Sequence, residues 1–266
     1  ILALSNKGDK MEKILFAHRG MSTLAPENTL SSFSLCKDKG IKWFECDIDI
    51  LKDKTLVINH DDTLDRCTNK TGSLYDICKE DLNDIDAGSW FGDDYIGEKI
   101  PTLDELIELI NKYKLNVNFE LKSCCGGKEL TQELIERFVK ALNKLDNDVR
   151  VIVSSFNPLM LSKFKDLSPS IPVGCLFETH TLHDDWSSIM EMCRADYIHP
   201  QNEGLTKEMV EKFRSYGYKI NVWTVNDLAR ANQLFNWGVT GVFTDIADRF
   251  PKSYKYKEDI VCEANI

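Results

Sequence analysis

No stretch of this 266-residue chain reaches the ~20 consecutive apolar residues that a bilayer-crossing helix needs, so no stable membrane anchoring is expected. The opening Ile1-Leu2-Ala3-Leu4 is too short for a signal-peptide core and lacks a basic start. Residues 1–10 are expected to be a disordered arm or an expression remnant ahead of a natural start at Met11. Positive charge is also scarce. Against 43 acidic residues there are 33 Lys and Arg, a net charge of −10, which excludes the basic stripe of a nucleic-acid surface. The nine cysteines include no repeated Cys-x2-Cys pair, and the adjacent Cys124-Cys125 is no zinc signature, so a zinc ribbon is excluded. An odd number of thiols without pairing rhythm points to a reducing, cytoplasmic compartment. No Gly-x-Gly-x-x-Gly follows the first strand, which removes the main reason to expect an open dinucleotide-binding sheet.

What is present has the composition of a globule with a sizeable core, 42% hydrophobic and 29% charged. Short β-rich runs alternate with helical patterns, the rhythm of βα units around a parallel sheet. Ile14–Ala17 reads as the first strand, followed by a helix from Ser31 to Lys39 with Gly40 in the stop position. Trp43–Ile50 is the second. Leu56–Asn59 comes too soon after it for a parallel crossover, so the pair is expected as an antiparallel hairpin that returns His60 beside the start of the second strand. Residues 61–99 are poor in periodicity and rich in turn residues, which suggests a lid or small inserted subdomain, with Trp90 and Phe91 as its core or as a wall of the cleft.

Thr102 with Glu105 three residues on marks a capped helix, and Leu103, Leu106, Ile107 and Ile110 make its apolar stripe. Further helices are expected at Thr131–Leu145, Pro158–Asp166, Lys207–Tyr216 and Asn226–Trp237. Discounting the hairpin return, parallel strands start near residues 14, 43, 115, 151, 173, 196, 219 and 239. Eight such repeats at this length predict an α/β fold, a closed (β/α)8 barrel, with a small insertion after the hairpin. The barrel domain is expected over 11–253, with 254–266 as a C-terminal extension.

In such barrels the chemistry sits at the C-terminal ends of the strands. His18-Arg19 ends the first strand. Glu45 and Asp47, two apart, share one face of the second, so Cys46 between them faces away. His60 ends the hairpin return, and Glu120 with Lys122 closes the third parallel strand. Trp223-Thr224 and Asn226 end the seventh, and Thr244-Asp245 the eighth. Three carboxylates near one axis repel unless a cation sits among them, and oxygen-only ligation favours Mg²⁺ or Ca²⁺. Arg19 can fork onto a phosphate, and Lys122 adds a point charge. His199 also ends a strand and is a candidate for the cleft wall. His180-x-x-His183, beside Asp184-Asp185, reads as a surface loop.

At these residues the chain resembles the glycerophosphodiester phosphodiesterase family, its cytoplasmic bacterial members in particular. The matching pieces are His18-Arg19-Gly20 with Pro26-Glu27-Asn28-Thr29, Glu45-x-Asp47, His60-Asp61, Pro101-Thr102-Leu103, Glu120-Leu121-Lys122 and Trp223-Thr224-Val225-Asn226. No single piece is specific; the ordered set is. The resemblance implies a TIM barrel and one divalent cation held by Glu45, Asp47 and Glu120. It also implies His18 and His60 as acid and base, and Arg19 and Lys122 on the phosphate. Trp223 is expected to be both core and substrate wall. The expected reaction is hydrolysis of a small glycerophosphodiester to sn-glycerol 3-phosphate and an alcohol. The rival readings are a lysophospholipase D or a phospholipase C-like enzyme on the same barrel, and, in a different class, a non-catalytic metal- or phosphate-binding module. A homo-oligomer is left open.

Overall fold

The computed structural model describes residues 13–255. The expected arm at 1–10 and nearly all of the C-terminal extension lie outside the described residues. The strands are β1 (Ile14–Ala17), β2 (Trp43–Ile50), β3 (Leu56–Ile58), β4 (Asn116–Leu121), β5 (Val151–Ser155), β6 (Val173–Phe177), β7 (Tyr197–Pro200), β8 (Lys219–Val222) and β9 (Gly241–Thr244). Around the sheet the order is β1-β9-β8-β7-β6-β5-β4-β2, and β1 pairs with β2 to close it. Every pairing in that ring is parallel, while β3 pairs antiparallel on β2. The predicted barrel of eight parallel strands is therefore the observed one.

Period-two alternation explains how the strands bury both faces. Ile14, Phe16, Trp43, Ile152, Tyr197 and Phe243 cluster together inside the barrel. Their neighbours Leu15, Phe44, Cys46, Val153, Ile198 and Val242 face the surrounding helices. On the Trp43 face of β2 the next residues are Glu45, Asp47 and Asp49, so the inner lining turns from apolar to acidic along the strand. Cys46 does face away from them, as the alternation requires.

The helices are α1 (Leu30–Asp38), α2 (Leu103–Tyr113), α3 (Lys128–Leu142), α4 (Pro158–Leu167), α5 (Trp186–Met192), α6 (Lys207–Ser215), α7 (Leu228–Trp237) and α8 (Lys252–Lys255). The Thr102–Glu105 capping box starts α2 as expected. By contrast, α3 begins three residues before the expected Thr131, because Gly127 at φ 98° makes the entry turn. The short α5 was not foreseen in sequence; its seven residues bury only Trp186 and Met190, too few to set up a periodicity. Tyr254, expected on the surface extension, packs its ring 5.6 Å from Phe235 and 5.8 Å from Phe250. Among the described residues no helix is long and apolar enough to cross a membrane.

Three expectations need correction. The hairpin ends at Ile48↔Ile58, and the Asn59 amide bonds the Asp47 carbonyl, so His60 returns beside the middle of β2 rather than its start. Segment 61–99 gathers an aliphatic cluster of Leu64, Leu74, Leu82, Ile85 and Ala87 on Leu51, Val57 and Ile100. Trp90 is 41% exposed and takes no part in it; its indole N–H donates to the Ala87 carbonyl, while Phe91 stacks edge-on between Trp90 and Tyr95. His199 does not reach a cleft. It is 0% exposed inside the barrel, where Asn221 Nδ2 lies 3.0 Å from its Nε2 and Gly174 leaves room for the ring.

Burial pushes the His199 imidazole down to about 3. The native ring thus stays neutral while an unfolded histidine, titrating near ~6.5, takes up a proton. Acidification from about 6.5 towards 3 therefore removes stability. From about pH 7 to about pH 4.5, His199→Gln should lose roughly 2–3 kcal/mol less unfolding free energy than the native chain. Denaturant titrations at both pH values check this. Parallel losses would refute it.

Candidate active site

The loop after β1 is shaped before any ligand is considered. Arg19 sits at φ 56° and Gly20 at φ 81°, and a Cβ on Gly20 would lie 2.4 Å from Ser32 Oγ. Only glycine fits the second position. Arg19 tolerates the left-handed turn because its amide donates to Glu45 Oε2 at 2.9 Å and its guanidinium donates to Glu27 at 2.8 Å. Asn28, also left-handed at φ 57°, donates through Nδ2 to Asp47 Oδ2 at 2.8 Å. The Pro26–Thr29 motif is thus a strap holding the β1 loop against β2, and Thr29 then caps α1.

Register brings the acids together. Asp47 of β2 is the direct partner of Glu120 on β4. With Glu45 they place one oxygen each within 4.8 Å of one another. Lys122 Nζ lies 2.9 Å from Glu120 and 3.5 Å from Asp47, and Arg19 Nε lies 3.5 Å from Asp47. Burial opposes ionisation of Asp47, but the charges of Lys122, Arg19 and His60 outweigh it and hold that carboxyl below its ordinary range. Glu45 goes the other way. Burial, then repulsion from Asp47 and Glu120, push it well above the usual range, more than Arg19 offsets. Arg19 and Lys122 are themselves opposed by burial, yet their acidic neighbours raise both, so both stay charged.

The two histidines are oriented in the same manner by different parts of the chain. His18 Nδ1 lies 2.7 Å from Asp245 Oδ1, and His60 Nδ1 lies 2.5 Å from Asp61 Oδ1. An ionised carboxylate only accepts, so each Nδ1–H donates and each Nε2 is left for other work. For Asp245, burial is outweighed by the hydrogen bond and charge of His18 and by the Asn226 amide. For Asp61, burial is outweighed by Arg66 and His60, which hold it at about 2. Asn226 of the Trp223–Asn226 motif therefore positions the acid that positions His18.

Arg66 was not singled out in sequence. Its guanidinium bridges two acids, with Nη1 and Nη2 each 2.8 Å from Glu27, and Nε 2.7 Å and Nη2 3.0 Å from Asp61. It thus ties the loop after β1, through Glu27 and Arg19, to the loop after β3, through Asp61 and His60. Arg66→Ala is expected to lower kcat roughly ten- to a hundredfold with little change in melting temperature, because it frees His60 rather than opening the core. Arg66→Lys, unable to fork onto both acids, should recover only part of the loss. Kinetics beside thermal melts would check it; unchanged kcat in Arg66→Ala would dismiss the positioning role.

His18, Arg19, Glu45, His60 and Glu120 open onto one cleft of ≈ 220 Å³, whose other walls include Asn118, Ser154, Phe156, Leu176, Glu178 and Trp223. Trp223 packs against the apolar cluster inside the barrel and lines this cleft. His180 and His183 are exposed and do not line the cleft, with His180 Nε2 3.3 Å from Glu178.

The acidic cluster fits a hard divalent cation. Glu45 Oε1 is buried without a hydrogen-bond partner, a costly state that an ion would relieve. Three clustered carboxylates face two cationic side chains, and a phosphodiester would bring a further negative charge. Two added positive charges balance that set, and an all-oxygen donor group suits Mg²⁺ or Ca²⁺.

The chain is similar to known proteins in sequence and in fold. The family model of the Glycerophosphoryl diester phosphodiesterase family matches residues 18–249. A glycerophosphodiester phosphodiesterase of Caldanaerobacter subterraneus subsp. tengcongensis is 36% identical over 88% of this chain and 95% of its own length. One from Bacillus subtilis is 32% identical over 96% of this chain and 92% of its own. The solved structure of an Oleispira antarctica phosphodiesterase, in complex with the product sn-glycerol-3-phosphate, superposes with a TM-score of 0.84 at 37% identity, covering 88% of this chain and 94% of that one. The expected resemblance is borne out: the chain belongs to the glycerophosphoryl diester phosphodiesterase family and is an enzyme that hydrolyses glycerophosphodiesters.

Proposed function

We propose that the chain cleaves glycerophosphodiesters to sn-glycerol 3-phosphate and an alcohol, with His18 and His60 as an acid–base pair. Glu45, Asp47 and Glu120 would hold one divalent cation, Mg²⁺ or Ca²⁺. The observation that carries this reading is the shared cleft: two carboxylate-oriented histidines open onto the same space as the acidic cluster. When bound, the cation supplies positive charge to the phosphoryl oxygens. Arg19, and Lys122 beside the acids, add the fixed charge that lets a nucleophile approach an anionic diester.

The 2-hydroxyl of the glycerol moiety belongs to the same molecule as the phosphorus, so its attack avoids the entropic cost of a bimolecular encounter. One histidine takes that hydroxyl's proton at Nε2, and the other gives its Nε2 proton to the departing alcohol oxygen. Water then opens the cyclic phosphate to sn-glycerol 3-phosphate while the two rings exchange roles. Trp223 walls the substrate on the far side. Residues 61–99 take part through Arg66, which supports treating them as an insertion within the one catalytic unit of 11–253.

The direct test is product analysis. Glycerophosphocholine should yield equal amounts of choline and sn-glycerol 3-phosphate, faster than lysophosphatidylcholine is cleaved. Turnover of the lysolipid alone would replace this reading with a lysophospholipase D. Release of phosphocholine would reject the assigned bond cleavage.

A further inference from the structure

Among the described residues that line the cleft, the buried side-chain atoms without a hydrogen-bond partner are Arg19 Nε, Glu45 Oε1 and Asn118 Oδ1. The first two belong to charged groups that the phosphate and the cation account for. Asn118 is neutral, and no step above uses it. Strand alternation explains where it points. On β4, Val117, Phe119 and Leu121 pack outward among the helices, so Asn118 and Glu120 face inward. Asn118 is 1% exposed and stands in register with Glu45 on one side and Ile152 on the other. A rise of ~3.3 Å per residue puts it roughly 7 Å further down the strand than Glu120. Ile152 belongs to the apolar cluster that fills the barrel, so Asn118 lies at the polar floor of the cleft. Its Nδ2 donates to Ser154 Oγ at 2.8 Å, which fixes the amide and leaves Oδ1 as a buried acceptor without a donor. Such a state is costly in the absence of a ligand.

We infer that Asn118 Oδ1 accepts a hydrogen bond from the terminal hydroxyl of the substrate's glycerol moiety, and so selects diesters that carry that hydroxyl. This inference rests on the phosphodiesterase reading above. An amide oxygen only accepts, so its partner is a donor. Phosphoryl oxygens of an anionic diester carry no proton to give. An ammonium is repelled by the cation that Glu45, the register partner of Asn118, would help to hold. A neutral hydroxyl meets both conditions. In the mechanism above the 2-hydroxyl gives its proton to a histidine, so the terminal hydroxyl is the one left to be bound. A three-carbon arm directed inward from a phosphorus at the acids carries that hydroxyl towards the floor. Holding the far end of the arm restricts rotation about its carbon–carbon bonds and keeps the 2-hydroxyl turned to the phosphorus. Asn118 is thereby a specificity-determining residue that also orients the nucleophile.

The experiment compares kcat/KM for glycerophosphocholine and for its analogue built on propane-1,2-diol, in which a methyl group replaces the terminal hydroxymethyl, with Mg²⁺ or Ca²⁺ present. Both diesters keep the 2-hydroxyl and the choline, so nucleophile and headgroup cancel in the ratio. The native chain should favour the glycerol diester roughly 10–100-fold, because the analogue leaves a buried acceptor unpaired. Asn118→Leu should bring the ratio close to one, through kcat as well as KM on the glycerol diester. Asn118→Thr suits a strand but is too short to place an acceptor there, and it gives the same readout should the leucine variant fail to fold. A purely structural role would slow both diesters alike and leave the ratio at its native value. A native ratio near one, or a preference that survives these substitutions, overturns the inference while leaving the phosphodiesterase reading standing. Absence of turnover by the native chain on both diesters overturns the phosphodiesterase reading, and this inference falls with it.

Discussion

Alanine in place of His60 or His18 is expected to lower turnover of glycerophosphocholine by roughly 10²–10⁴-fold, the range that positioned acid–base groups supply. Both rings are part-exposed at the cleft and packed against carboxylates rather than in the core, so truncation should leave the barrel folded. A melting temperature close to native, beside the lost turnover, is therefore part of the expected result. The orienting acids give an internal control. Asp245→Asn and Asp61→Asn keep the shape of the hydrogen bond but let the amide donate to Nδ1, which moves the ring proton to Nε2 and removes the base. Their activity should fall too, though less than that of the alanine variants, and added imidazole should partly restore only the latter. If either histidine variant keeps near-native turnover, the two-histidine scheme is wrong.

Removal of divalent ions by a chelator should bring turnover to background, and titration with Mg²⁺ or Ca²⁺ should restore it. Glu45→Gln should lose roughly 10²-fold or more in turnover even when ions are saturating. The buried state of Glu45 adds a prediction with a sign that activity alone would not reveal. Burial and two like-charged neighbours disfavour its ionised form, and Oε1 has no hydrogen-bond partner. Without an ion, Glu45→Gln removes the cost of holding an ionisable carboxyl in that buried acidic place and should raise the melting temperature. With an ion, the native chain should gain stability by mass action, and the variant should gain much less. Ion binding to the native site should also release protons, because it captures the carboxylate form. Thermal melts and calorimetry in two buffers would measure both. Chelator-insensitive turnover, or equal stabilisation of both proteins by the ion, would reject the three-carboxylate site.

Much of this centre is legible in the primary structure because strand alternation is a local rule. Trp43, Glu45 and Asp47 must share a face, Cys46 must take the other, and Asn118 and Glu120 follow the same rule on β4. Helix α2 is similarly local, since Thr102 and Glu105 are three residues apart and bond each other directly. His199 shows where local rules stop. A polar residue at a strand end reads as a cleft residue, but its depth along the barrel axis is set by the stagger of the strands, and here it is sealed below the mouth. Trp90 and Phe91 fail for a related reason: their hydrophobicity says that they prefer burial, not that the aliphatic cluster of 61–99 has room for them.

By itself the sequence determined the repeat of strand and helix, the inward face of each strand and the residue types able to carry a phosphodiester's chemistry. Tertiary structure alone decided which of those residues meet. His18 finds its orienting acid 227 positions away because β1 and β9 are neighbours when the ring closes, and Glu27 reaches Arg66 over 39 positions through the insertion. Periodicity reports only on neighbours along the chain. Barrel closure and loop docking set contacts between distant ones, and those contacts orient both histidines and leave Glu45 short of a partner.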